Sequence, residues 1–129
     1  MAELTAQIDL PLFDDSAAGA ARRAIRPILD SWSCTDEDWL YDAGVIVSEL
    51  VTNAIRHGGG GLELVVTMHE RSVTVSVADG SAVVPAVREG DGDGGRGLVI
   101  IEALAEAWGV ENHHGGKRVW VRLHEAGTS

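Results

Sequence analysis

The chain has 129 residues, which is enough for a single domain over residues 1–129 with one apolar core. Its net charge of −10 argues against binding to the phosphate backbone of a nucleic acid, so we expect proteins or small molecules as partners. The amino terminus lacks the basic and apolar stretches of a signal peptide, and no apolar run approaches the roughly 20 residues that span a bilayer. The single cysteine, Cys34, is interpreted as a small buried side chain of a cytoplasmic protein without membrane partners.

The first elements predicted are an edge strand and a helix. Residues 6–12 alternate apolar and polar side chains as a strand does, and Pro11 restricts that strand to the edge of a sheet. The alanine-rich run 17–32 predicts a helix. Pro27 lies inside this run, so we expect it to kink or divide the helix.

A second helix is predicted between two sequence signals. Thr35 and Asp38 have the spacing of a capping box, which marks a helix start, and the four glycines at 58–61 mark the helix end. The apolar residues of this run share one face, which we expect to be buried: Ala43, Val47, Leu50, Val51 and Ala54.

A polar stripe follows another side of the same helix. Glu49, Asn53 and His57 recur at intervals of four residues, which places them above one another. Such a stripe can be the solvated side of an amphipathic helix. A partly covered side is the alternative, because asparagine is unfavourable inside helices and because Ile46 falls within the stripe.

The second half of the chain predicts three strands and a helix. β-branched residues dominate 62–68 and 72–78, with Glu70-Arg71 between them, so these runs are interpreted as a hairpin. Residues 97–108 have a helical apolar pattern, and 117–123 alternate as a last strand. This order predicts an α+β fold, a two-layer α/β sandwich whose mostly antiparallel sheet is covered on one face by helices. The tryptophans are expected in the core: Trp32, Trp39, Trp108 and Trp120.

The helix that carries Glu49, Asn53 and His57 and ends at glycines resembles the N-box of the GHKL (Bergerat-fold) superfamily of ATP-binding domains. The resemblance implies that Glu49 is a general base and that the side-chain oxygen of Asn53 binds a Mg²⁺ ion, which bridges the nucleotide phosphates. His57 matches a frequent N-box histidine, for which capping of the helix end is the favoured role. Arg56 could face the phosphates or the solvent.

A first glycine box of that superfamily has a counterpart at Asp79 and Gly80. The resemblance implies that the Asp79 carboxylate accepts a hydrogen bond from the amino group of adenine, whereas the same pair alone is typical of a simple turn. Ser81 and Val83 stand where the later glycines of the box would be.

A second glycine box, which closes the lid over ATP, is resembled by the run from Gly94 to Leu98. Backbone N–H groups at a helix start attract phosphate, so the implied nucleotide contacts in this run are Gly95, Arg96, Gly97 and Leu98. Arg96 is otherwise a solvated loop residue. Lys117, the only lysine, is interpreted either as a residue near the phosphates or as a plain turn residue.

A free-standing domain of this size resembles the anti-sigma-factor serine kinases, and in particular their ATP-binding regulatory relatives from actinobacteria. The resemblance implies an ATP- and Mg²⁺-dependent protein serine/threonine kinase that phosphorylates a STAS-type anti-sigma-factor antagonist. A sigma factor would be the competing partner, and the first strand would help to form a homodimer.

The alternative is a catalytically inactive module that keeps the fold and regulates a partner by direct binding. The missing glycines of the first box and the acidic residues Glu89, Asp91 and Asp93 favour this alternative. Retention of Glu49 together with Asn53 favours the enzyme.

Overall fold

The computed structural model describes residues 3–10, 16–57, 62–80, 93–113 and 115–125, with the backbone alone at 57, 93–98 and 113. Along these residues the elements are β1 (Leu4–Leu10), α1 (Ser16–Ser31), α2 (Glu37–His57), β2 (Leu62–His69), β3 (Ser72–Asp79), α3 (Asp93–Leu104), β4 (Ala105–His113) and β5 (Gly116–Leu123).

The strands in the described ranges form one antiparallel sheet in the order β1-β2-β3-β5-β4. β2 and β3 form the predicted hairpin, whose turn places Glu70 in the left-handed region with a φ of 59°. β1 is an edge strand, as predicted, although it spans Leu4–Leu10 rather than 6–12. A homodimer that uses this edge stays a prediction.

One face of the sheet packs against the helices, which confirms the predicted α/β sandwich. Alternate residues of the inner strands face this layer and are fully buried: Leu64 and Val66 of β2, Val73 and Val75 of β3, and Val121 of β5. The helices supply Ala21, Ile25 and Leu29 from α1 and Ile46, Val47 and Val51 from α2. Branched aliphatic side chains therefore form most of the core, with few aromatic ones.

The prediction of a helix over 97–108 is wrong at both ends. α3 begins at Asp93 and ends at Leu104, and the next nine residues form β4, a strand that the sequence did not predict. Trp108 and Val110 of β4 pack against the core, opposite Val121 and Val119 of β5. A short apolar run fits either a helix or a strand, and here pairing with β5 selected the strand.

The core position predicted for the tryptophans is correct for Trp32, Trp39 and Trp108, which pack against the buried cluster. It is wrong for Trp120. That residue lies between the core residues Val119 and Val121, so its side chain points to the opposite face of the sheet. There its indole covers Gly109, where a Cβ would come within 2.7 Å of the ring.

Helix α1 continues through Pro27 to Ser31, so Pro27 does not divide this helix, and the kink, the other predicted effect, stays a prediction. Its end is a Schellman motif, in which Ser33 has a φ of 69°. The N–H groups of Ser33 and Cys34 donate to the carbonyl oxygens of Asp30 and Leu29, each at 3.0 Å. This turn directs Cys34 inward, beside Leu29.

Cys34 is buried, as predicted, and its Sγ lies 3.7 Å from the Sδ of Met68. Burial raises the pKa of the thiol, an effect that the nearby Arg71 partly offsets. A buried thiol with a raised pKa is a poor nucleophile. The structure therefore supports a packing role for this cysteine.

Helix α2 begins two residues after Thr35, so its flanking residue is Asp36 rather than the Thr35 of the predicted capping box. The Asp36 carboxylate accepts a hydrogen bond of 2.9 Å from the backbone N–H of Trp39. Glu37 and Asp38 add negative charge to the first turn, where the helix dipole favours it. No helix that the structure describes combines the length and the hydropathy needed to cross a bilayer.

We expect Asp36→Ala to lower the free energy of unfolding by about 1 kcal/mol, because the N–H of Trp39 loses its acceptor. Asp36→Asn keeps a side-chain oxygen at the same place and is the matched control, with stability close to that of the unmodified chain. Urea denaturation of the three proteins measures the difference. Equal stability of Asp36→Ala and the unmodified chain would contradict this capping role.

Candidate nucleotide site at one end of the sheet

The candidate site lies at one end of the sheet. In the register of the antiparallel strands, Asp79 of β3 lies opposite Lys117 of β5, and Lys117 lies opposite Asn112 of β4. On the other side of β3, β2 begins at Leu62, opposite Leu10 of β1. These five residues mark one end of the sheet, which we call the site end.

Helices α2 and α3 are oriented by their connections to the sheet. α2 ends at His57, five positions before β2 begins at the site end. α3 ends at Leu104, directly before β4, whose first residue lies opposite Leu123 at the other end of β5. The two helices contact each other and run in opposite directions, so the start of α3 is directed toward the site end.

Glu49 and Asn53 of the polar stripe continue the side of α2 on which Ile46 lies beside α3. Ile46 is fully buried and lines a small cleft together with Asp42 and Leu104, the last residue of α3. Glu49 and Asn53 continue the same side of α2 toward the site end and are partly buried. The stripe is therefore a partly covered side of the helix, and the solvated alternative is wrong.

The last turn of α2 carries Arg56 and His57. The Arg56 side chain is exposed, which is compatible with either of its two predicted positions, and a contact with the phosphates stays a prediction. A cation in this turn stabilises the carbonyl end of the helix dipole. His57 is the final residue of the helix, and its capping role stays a prediction.

Asp79 and Lys117 form a buried ion pair at the site end. The Lys117 Nζ donates to both carboxylate oxygens of Asp79, at 3.1 Å and 3.0 Å, and the two side chains are 2% and 0% exposed. Lys117 lies within β5. The prediction that Lys117 is a plain turn residue is therefore wrong. Its ammonium group pairs instead with Asp79, the residue for which the family resemblance implies a contact with adenine.

The alternation of the two strands explains why both charges point inward. Asp79 continues the series Val73, Val75 and Val77 on the helix-facing side of β3, and Lys117 has the same parity as the buried Val119. Two opposite charges in such a position stabilise each other, whereas either one alone would be strongly unfavourable.

Gly116 brings the start of β5 against the end of β3. A Cβ on Gly116 would overlap the carbonyl oxygen of Asp79 and would lie 2.8 Å from the Cα of Gly80. A side chain at this position would displace the backbone that carries Asp79. Gly116 was not among the predicted site residues, because a glycine before a strand is ordinary turn composition.

The start of α3 is rich in glycine. The helix begins at Asp93, four residues before the predicted start, so Gly95, Arg96, Gly97 and Leu98 belong to its first two turns. The first N–H groups of a helix have no partner within it and can bind an anion. Gly80 is exposed directly after Asp79, whereas Ser81, Val83 and the acidic residues Glu89 and Asp91 lie outside the described residues.

Within the described part of the chain, no cluster of three or more His, Cys, Asp or Glu residues could hold a metal ion. A Mg²⁺ ion that binds together with a nucleotide takes only one or two protein oxygens and keeps phosphate and water as its other ligands. Asn53 offers such an oxygen on the partly buried stripe of α2.

We expect Lys117→Met to lower the free energy of unfolding at neutral pH by about 3–5 kcal/mol, because it leaves the Asp79 charge buried without its partner. The double variant Asp79→Asn/Lys117→Met removes both charges and should recover at least half of that loss. Chemical denaturation measures all three proteins. A double variant as unstable as Lys117→Met would contradict a charge-pair origin.

The comparison with known protein families agrees with this geometry. The family model for the histidine kinase-like ATPase domain matches residues 13–123, from before α1 to the last residue of β5. A search among curated proteins finds no match. The matched region contains the stripe of α2, the Asp79–Lys117 pair and the glycine-rich start of α3. This chain therefore belongs to the family of histidine kinase-like ATPase domains of the GHKL superfamily.

Proposed function

We propose that this ATPase domain is an ATP-binding regulatory protein of the serine/threonine kinase type. It binds Mg-ATP between α2 and the segment 81–97 and transfers the γ-phosphoryl group to a STAS-type anti-sigma-factor antagonist. The transfer controls the availability of a sigma factor. The observation that carries the proposal is the partly buried pair Glu49 and Asn53 on the side of α2 that faces α3.

Glu49 and Asn53 have complementary chemistry. They lie one helical turn apart, which places their Cβ atoms about 6 Å from each other. In the proposed complex Asn53 holds a Mg²⁺ ion, which supplies positive charge to the phosphates when it is bound. A pair that served only to cover the core would not require an acid and an amide in this arrangement.

In the proposed reaction, Glu49 accepts the proton of the attacking hydroxyl group. The hydroxyl oxygen of the substrate forms a bond to the γ-phosphorus, the bond from that phosphorus to the bridging oxygen of ADP breaks, and the electron pair leaves with ADP. The proton passes from Glu49 to solvent after product release. Partial burial of Glu49 keeps the carboxylate near the reacting groups and still reachable by the substrate.

The two ends of the nucleotide have separate positions in this proposal. The base lies toward Asp79 at the end of β3, and the phosphates lie toward the glycine-rich start of α3, where free backbone N–H groups favour anions. The substrate and the sigma factor are folded proteins, in keeping with the net charge of −10. A free buried cysteine is compatible with the reducing cytoplasm.

A second candidate function is a catalytically inactive module that regulates a partner by direct binding. The ion pair favours it, because Lys117 already engages the carboxylate that would accept a hydrogen bond from the base. The absent later glycines at positions 81 and 83 favour it too. The two functions differ in whether Mg-ATP binds and whether phosphate is transferred.

We expect Asn53→Ala to weaken Mg-dependent ATP binding at least tenfold, because the variant lacks the oxygen that we propose as a Mg²⁺ ligand. Calorimetric titration with ATP, with and without Mg²⁺, measures the change. Thr52→Ala is the matched control, since Thr52 is a partly buried neighbour on the same helix. Equal affinity in Asn53→Ala and the unmodified chain would refute the magnesium role.

We expect Glu49→Gln to bind Mg-ATP normally and to lose roughly 10²–10⁴-fold in phosphate transfer, because glutamine keeps the shape but cannot accept the proton. Transfer of labelled γ-phosphate to an antagonist protein that the unmodified chain phosphorylates measures the rate. Glu102→Gln, at an exposed position of α3, is the control. Transfer at the normal rate by Glu49→Gln would exclude Glu49 as the base, and normal ATP binding without any transfer by the unmodified chain would favour the inactive module.

A further inference from the structure

We propose that Lys117 determines the base specificity of this site: its ammonium group competes with the amino group of the base for the Asp79 carboxylate. The inference rests on the proposed nucleotide binding and concerns the same site. It predicts a nucleotide site that discriminates weakly between purines with and without a 6-amino group.

The geometry of the ion pair carries this inference. The Lys117 Nζ lies at almost equal distances from the two oxygens of Asp79, 3.1 Å and 3.0 Å, so it stands directly in front of the carboxylate. This is the direction in which a carboxylate best accepts a bifurcated or paired donor. Because the Asp79 side chain is 0% exposed, the amino group of a base could reach this carboxylate only by displacing a group that covers it, and Lys117 is the donor that the structure describes there.

The competition favours the lysine. A hydrogen bond between an ammonium and a carboxylate is charge-assisted on both sides, whereas the amino group of a base is a neutral donor. The pair is also almost fully buried, with exposures of 2% and 0%, and burial strengthens the attraction between opposite charges. A base that displaced Lys117 would leave the ammonium group buried without its partner.

The backbone holds the competitor in place. Lys117 lies directly opposite Asp79 in the register of β3 and β5, and Gly116 packs its backbone against Asp79 and Gly80. The lysine therefore cannot withdraw by a small shift of a loop. Only a change of its side-chain rotamer, at the cost of the ion pair, would move the ammonium group away from the carboxylate.

The consequence is a small contribution of the base amino group to affinity. In the unmodified chain, ATP and the analogue in which hydrogen replaces the 6-amino group should have dissociation constants within about threefold of each other, because the carboxylate stays paired with Lys117 and the amino group gains no charged acceptor there. Without the lysine, the amino group should gain a carboxylate partner and at least about tenfold in affinity.

The experiment is a double-mutant cycle between Lys117 and the base amino group. Calorimetry measures the dissociation constants of Mg-ATP and of the 6-deamino analogue for the unmodified chain, Lys117→Met and Lys117→Gln. Arg122→Met is the matched control, because it removes one positive charge from the same strand on the exposed side. Circular dichroism verifies that each variant is folded.

The preference for ATP is the ratio of the dissociation constant of the 6-deamino analogue to that of ATP. The inference is supported when this ratio rises at least about tenfold in Lys117→Met, takes a value between those of the unmodified chain and Lys117→Met in Lys117→Gln, and is unchanged in Arg122→Met. A tenfold preference for ATP in the unmodified chain overturns it, and this outcome requires no variant to fold. Nucleotide binding with the same preference in all proteins also overturns it and leaves the proposed function intact. Failure of both nucleotides to bind any of the proteins overturns the proposed function itself.

Discussion

The buried ion pair between Asp79 and Lys117 is the interaction on which the site end depends. It joins the last residue of β3 to the second residue of β5, so it fixes the register of the two strands at the point where the site begins. Removal of either charge leaves the other in the core, which is far more costly than the loss of an exposed salt bridge. The close approach of Gly116 to the backbone of Asp79 acts on the same junction.

On the opposite face of the sheet, further polar side chains also connect neighbouring strands, and of these Ser76 is buried while Arg118 and Glu63 are partly buried. Arg118 donates to Ser76 at 2.8 Å and to Glu63 at 2.5 Å, and Gln7 donates to Glu63 at 3.3 Å. These contacts link β5, β3, β2 and β1 in one line across the sheet. Individually such bonds contribute little, but they oppose a slip in register, which would also break the buried pair.

Helix α2 packs against the sheet and carries Glu49 and Asn53, the two residues of the proposed phosphate transfer. One side of it enters the core, and a second side, with Ile46 at its centre, packs beside α3. Glu49 and Asn53 continue this second side toward the site end, and both side chains are partly buried. The cap at Asp36 fixes the start of α2. It thereby helps to set the position of Glu49 and Asn53 along the helix axis relative to the site end.

The sequence by itself determined which side is buried for most of the predicted strands and helices, because apolar periodicity follows directly from the geometry of a single element. It also predicted the hairpin and both long helices, and the resemblance of its motifs indicated the superfamily. The sequence also places Lys117 in the same alternating series as Val119, Val121 and Leu123, a pattern that could have predicted an inward-facing lysine. Only the tertiary structure decided that residues 105–113 form a strand, that Trp120 lies outside the core, and that Lys117 meets Asp79. These features depend on the pairing of β5 with β4 and β3, which brings together residues that no local pattern relates.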